Sequence, residues 1–332
     1  MTVAVPRRRW PLLLAVLPLL LGLAVYGQLW RGWAAEFETT LADWFPSRRP
    51  AVSGFPYRLE TTVDAPMLVH EGTVQLRFIA DRLRLNRGPW RPELTVMQSE
   101  WLKLSAILPG LSPRVQAPAG TASLKLDRDD QGQMRLARLS IVLPNAVGST
   151  GLGPTFQADR LELHGRELEP VAAPPASDPR LPQRGQVVIG AEGLRFGRRG
   201  EQGTAISMTG EAKLRAAGRL RDWAAWAAGG GSIDLVLSGR DATGELFALD
   251  ASIVPLGAGL RLAGTIRTVC PLAVQAALNG TKAAPELRLR APVQLSLQTY
   301  LPTANAPIVQ GLPANLAGRP RRAQLPPCPR LA

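Results

Sequence analysis

Histidine is nearly missing from this chain of 332 residues: His70 and His164 are the only two. That shortage excludes histidine-rich metal sites and leaves little room for imidazole acid–base chemistry. Cysteine is as scarce, with only Cys270 and Cys328 and no C-x-x-C, so zinc-ribbon and thioredoxin-like chemistry have no support. Lysine is confined to Lys103, Lys125, Lys213 and Lys282, so nearly all of the 39 basic residues are arginine. Aromatic residues make up 5% of the chain, and several fall in its first 45 positions. The interleaving of aromatics with basic residues that single-stranded nucleic acid needs is therefore absent. A net charge of +13 would otherwise suggest nucleic acid. Abundant Arg, Ala, Pro, Gly and Leu make compositional bias the simpler source, and no nucleic-acid partner is expected.

Chemical motifs are also missing. There is no Walker loop, no G-x-G-x-x-G after a strand and no H-E-x-x-H. Gly148-Ser149-Thr150-Gly151 has the wrong spacing for a nucleophile elbow. The string Asp127-Arg128-Asp129-Asp130-Gln131-Gly132 resembles the start of a calcium loop, but Arg138 stands where the bidentate Glu belongs. It reads as a hairpin turn. Glu167 and Glu169 alternate on one strand face and read as solvent-facing charges. The expectation is a protein that is not an enzyme, with no catalytic, cofactor-binding or metal-binding residues.

What is present begins at the N-terminus. Arg7, Arg8 and Arg9 precede an uncharged run over residues 10–30, WPLLLAVLPLLLGLAVYGQLW. At about 1.5 Å per residue, such a run matches the roughly 30 Å of bilayer hydrocarbon. The basic flank places the N-terminus in the cytoplasm, and Trp10, Tyr26, Trp30 and Trp33 suit the membrane interface. The competing reading is a cleaved signal peptide, whose A-x-A-like site is poorly matched here. The expectation is therefore a single-pass inner-membrane protein, with the membrane as partner through residues 10–30 and a periplasmic body. Residues 31–45 have helical spacing, with Trp33, Phe37, Leu41 and Trp44 in one stripe. That stripe predicts a juxtamembrane helix packed on the body, the bilayer surface being the alternative.

Period two dominates the rest. Arg82-Leu83-Arg84-Leu85, Ser123-Leu124-Lys125-Leu126, Arg160-Leu161-Glu162-Leu163, Leu260-Arg261-Leu262 and Leu287-Arg288-Leu289-Arg290 each place apolar residues on one face and polar ones on the other. Turn signals such as Asp241-Ala242-Thr243-Gly244 separate them. Helical patterns over 219–228 and 271–278 are too small to cover the sheet. The fold class is mainly β: an extended antiparallel sheet, closed as a sandwich or open as a curved groove, with few short helices after one N-terminal transmembrane helix. Residues 1–9 form a cytoplasmic basic tail, 52–169 and 184–300 two β-rich halves, 170–183 a Pro-rich loop, and 301–332 a Pro-rich basic tail. One sheet bridged by the loop and two separate domains are both open. In an exported protein, Cys270 and Cys328 are disulfide candidates that would tie down the tail, with two free thiols as the alternative.

Two short strings carry a family resemblance. Gly54, Phe55, Pro56 and Arg58 stand in the string SGFPYRL, and Pro89, Trp90 and Pro92 in GPWRP. Together with the N-terminal apolar segment and β-rich body, these resemble a proteobacterial envelope family known as domain of unknown function 2125. The resemblance implies an envelope protein but transfers no activity. Gly54 and Pro56 shape a strand start, and Pro89 and Pro92 bracket Trp90 at a strand end. The expected function is a membrane-anchored, non-enzymatic periplasmic protein that binds lipid or another hydrophobic envelope component on its apolar sheet face. The alternative is a structural or scaffolding module that binds another envelope protein.

Overall fold

The computed structural model describes residues 10–46, 48, 50–72, 74–108, 111–129, 131–149, 151, 155–169, 180–197, 203–220, 222–257, 259–279, 281–301, 308–310 and 326–331. Arg7, Arg8 and Arg9 lie outside these residues, as do most of the Pro-rich loop and of the C-terminal tail. Alternating side chains build one antiparallel sheet of fifteen strands in which almost every strand pairs with its neighbour in sequence. The first strands are β1 (Leu59–Asp64), β2 (Met67–His70), β3 (Gln75–Ile79), β4 (Arg82–Gly88) and the long β5 (Arg91–Ile107). Next come β6 (Arg114–Arg128), β7 (Met134–Ser149), β8 (Thr155–Glu167), β9 (Gln183–Phe196) and β10 (Ile206–Arg215). The sheet continues through β11 (Ser232–Asp241), β12 (Gly244–Leu256), β13 (Gly259–Thr268), β14 (Val293–Leu301) and β15 (Ile308–Gln310). β8 pairs with β9 across the Pro-rich loop, so the two halves form one continuous sheet.

Register sorts the side chains. Leu85, Met97, Ala122, Ile141, Leu163 and Ile189 follow one another across β4 to β9 on an inner face. Arg84, Gln98, Thr121, Val142, Glu162 and Gly190 follow one another on the outer face. A line of irregular residues creases the sheet. Ala65, Trp101, Asn145 and Gly193 all have positive φ and lie at breaks in the ladders of β1–β2, β5, β7 and β9. Bulges of this kind bend a strand and raise its twist. Beyond the crease, Ala117, Ala146 and Ala158 are buried on the inner face, where small side chains allow close approach. Leu111, between β5 and β6, packs against Ala216, Trp226 and Leu260, so distant parts of the sheet meet.

Turn chemistry fixes the hairpins. Asp129 Oδ1 accepts from the amides of Gln131 (2.9 Å) and Gln133 (2.8 Å), joining β6 to β7 as a tight turn. Helix α2 (Trp223–Ala228) starts where Asp222 accepts from the Ala224 amide at 2.9 Å. Helix α3 (Pro271–Asn279) buries Ala273 and Val274 in one cluster with side chains of β8–β14.

The N-terminal helix corrects the sequence reading. Helix α1 (Trp10–Trp44) runs unbroken through the boundary expected at residue 30, and Pro18 lies inside it. Phe37 and Leu41 are 1% and 0% exposed, packed with Leu59 and Val63 of β1 and Leu83 and Leu85 of β4. Tyr26 and Trp30, expected at a membrane interface, instead hydrogen-bond the backbone of Pro56 and Arg58. Among the described residues no helix is long and apolar enough to cross a membrane. The reason is geometric: with the run bound to the body from Tyr26 onward, residues 10–25 span only about 24 Å, short of the roughly 30 Å required. The transmembrane helix over 10–30, the membrane as partner through it, the single-pass inner-membrane location and the membrane-anchored function are thereby overturned.

Candidate functional site

The strings around Gly54 and Trp90 come together at the open end of the sheet. Gly54 has φ +101°, and a Cβ there would lie 2.8 Å from the Arg58 carbonyl oxygen, so the turn requires glycine. That turn, with a cis Phe55–Pro56 bond, presents Phe55 to α1. Pro89 and Trp90 occupy the turn between β4 and β5, and Pro92 is the second residue of β5. Tyr26 stacks on Trp90 with ring centroids 5.5 Å apart, while Trp33 meets the same indole edge-on at 5.7 Å. Phe55 meets Trp30 at 5.5 Å and Tyr26 at 6.0 Å. Five rings and two backbone carbonyls therefore clamp the helix to the sheet. Phe55 and Trp90 keep outward surfaces exposed. Neither Pro89 nor Pro92 takes part in these ring contacts or hydrogen bonds.

Below the clamp, the Arg87 guanidinium lies 4.4 Å from the Phe37 ring centroid and donates to Thr95 Oγ1. Burial lowers the Arg87 pKa, and the Glu36 carboxylate opposes that shift. Glu38 accepts from the Val52 amide at 2.9 Å, holding residues 51–53 along the outer edge of β1. Ser53 and Glu60 exchange backbone hydrogen bonds of 2.8 Å in both directions. The β1 edge is thus closed. The β2 edge is not: among the described residues β2 pairs only with β3, and Met67 and Val69 are 57% and 50% exposed. Edges of this kind are templates for another strand.

At the other end, Cys270 and Cys328 form a disulfide. Residues 326–331 run over the ends of the strands, with Cys328 N donating to the Glu286 carbonyl and Arg330 O accepting from Thr204. The Glu286 carboxylate accepts from the amides of Leu272 (3.2 Å) and Ala273 (2.8 Å) at the start of α3. Burial pushes this carboxyl up, against the pull of those two amides. Although Glu286 lies close to both sulfurs, the thiols are consumed in the disulfide, so the carboxylate serves as a helix cap rather than a metal ligand.

Elsewhere several carboxylates pair with arginines. Burial works to raise the Asp241 carboxyl, but hydrogen bonds from Thr243 and the Arg288 guanidinium outweigh it and hold it below the usual range. Glu162, partly exposed, is held down chiefly by Arg160 and also by His164. A hollow of about 430 Å³ on the outer face is lined by Arg160, Glu162, Thr209 and Ser238. Arg160 and Glu162 lie 2.5 Å apart in it, and Glu192, Arg240 and Glu245 complete its charged lining. His70 ends β2 while His164 lies in β8, so the chain's only histidines belong to distant strands. Glu169, read as solvent-facing, pairs with Arg135 at 2.9 Å.

The described residues form a meandering antiparallel sheet with one clamped helix and, at β2, a strand paired on one side only. Residues 47–266 match the family described as "Uncharacterized protein conserved in bacteria (DUF2125)", and the chain belongs to that family. No curated protein and no solved structure matches it.

Proposed function

We propose that this chain is a non-catalytic structural module of the bacterial envelope that binds another envelope protein by strand addition at β2. The observation that carries the reading is the contrast between the two ends of one sheet edge. Residues 51–53 close β1, whereas β2 offers an open backbone edge flanked by exposed Met67 and Val69. Strand addition gains affinity from main-chain hydrogen bonds and selectivity from alternate side chains. The disulfide suits an oxidising compartment. The shifted carboxyls have structural duties: Glu286 caps a helix, and Asp241, Asp127 and Glu162 pair with arginines.

The test is a photo-crosslinking amino acid at Val69 in the full chain, expressed in the native bacterium. One defined protein should be captured, and Met67→Pro with Val69→Lys should abolish its co-purification while leaving the circular dichroism unchanged. Co-purification that survives those edge substitutions, or no captured protein, overturns the reading.

A further inference from the structure

Two register shifts shape the hollow on the outer face of β8–β12. On β9, Glu192 and Gly193 together oppose the single residue Ser207 of β10. Gly193 has φ +59°, and a Cβ there would collide with the Asp159 carboxylate, so this bulge requires glycine. On β12, the extra residue Leu246 separates Glu245, which pairs with Arg240, from Phe247, which pairs with Gly239. Leu246 is buried in the core, whereas Glu245 lines the hollow. Bulges bend a strand and re-aim its side chains in this way. Between the two bulges, one row of the outer face runs Glu162, Gly190, Thr209 and Ser238 from β8 to β11. Gly190 puts no side chain into that row and leaves its middle open. The resulting space of about 430 Å³ is of small-molecule size.

The neighbouring row reads Arg160, Glu192, Ser207, Arg240 and Glu245 across the five strands. Arg160 is taken by Glu162. Glu192, Arg240 and Glu245 are exposed and, among the described residues, make no ion pair and no side-chain hydrogen bond. Elsewhere in the sheet Arg82, Arg195 and Arg215 each hold a carboxylate. We propose that the hollow is a binding site for a small zwitterion of tripeptide size, its ammonium group meeting Glu192 and its carboxylate meeting Arg240. These two residues stand two strands apart, about 10 Å, which is the length of an extended tripeptide. Ser207 lies between them in the row. Thr209 and Ser238, with hydroxyl oxygens 2.9 Å apart, border the same space, and such hydroxyls can donate to or accept from peptide groups. Two arginines against three carboxylates leave the lining with an excess negative charge. A lone anion such as inorganic phosphate is therefore repelled, whereas a ligand that also brings an ammonium group is not. This site is distant in sequence and sheet order from the β2 edge and stands without it.

The test is calorimetric titration of the full chain with trialanine, N-acetyl-trialanine, trialanine amide and inorganic phosphate. Trialanine should bind one to one with a Kd of about 1 mM or below, and blocking either terminus should weaken it about fivefold. Phosphate should not bind. Glu192→Gln should weaken trialanine about fivefold and leave N-acetyl-trialanine unchanged, while Arg240→Gln should do the same for trialanine and leave the amide unchanged. Gly190→Val should abolish binding by filling the open middle of the row. A Cβ at this position meets only the Glu162 Cβ, at an ordinary 3.8 Å, and valine suits a strand, so the circular dichroism should not change. Absence of saturable trialanine binding overturns the proposal, as does equal binding of the three peptides. Binding that persists in Gly190→Val, or phosphate that binds more tightly than trialanine, overturns it as well.

Discussion

Glu286 caps the first turn of α3 from a partly desolvated position, and its pKa is raised by that burial. The sign of its effect on stability follows from linkage. A carboxyl whose folded pKa exceeds its unfolded value stabilises the fold most when protonated, below about pH 4, and loses that contribution as pH rises through the folded value. Wild type should therefore gain stability relative to Glu286→Gln as pH falls from about 7 toward about 4. Urea midpoints at several pH values check this, and a constant difference contradicts it. Asp241 works in the opposite sense. Its lowered carboxyl adds stability above the ordinary carboxylate range, which is lost on acidification.

At the scale of elements, the disulfide and the strap it anchors matter most. Leu331 of the strap is 3% exposed, and Cys270 is fully buried. Cys328→Ser should cost about 4 kcal/mol by the loop-closure argument, given a separation of 58 residues. A loss below about 1 kcal/mol in denaturant unfolding would show that the strap holds without its covalent tie. Strands were legible wherever leucine alternated with a charge against a single face, as in Arg82–Leu85 within β4 and Arg160–Leu163 within β8. The same pattern misleads at 287–290. There Arg288 is buried against Asp241 and Leu287 is 54% exposed, and the segment makes only an isolated bridge with Pro327. An ion pair between residues 47 positions apart inverts the local pattern, and periodicity carries no trace of it.

At the scale of the whole molecule, the crease and the clamp decide the architecture. Neither is visible locally, because Trp101 and Asn145 are ordinary residues whose positive φ arises from mismatched ladders. The strings around Gly54 and Trp90 could be read as strand-end structure, but their partners could not. Tyr26, Trp30 and Trp33 fit a membrane interface by composition alone, and only the fold brings their rings against Phe55 and Trp90. The edge at β2 was equally hidden, since it depends on which neighbours cover β1. The architecture therefore depends on α1 belonging to the β body from Tyr26 onward. Hydrogen exchange of the full chain without lipid tests this most directly. Amides of residues 30–44 should exchange as slowly as those of β4, and Trp90→Ala should speed exchange around residues 26–33 first. Fast exchange throughout α1, with protection gained only in lipid vesicles, would contradict it.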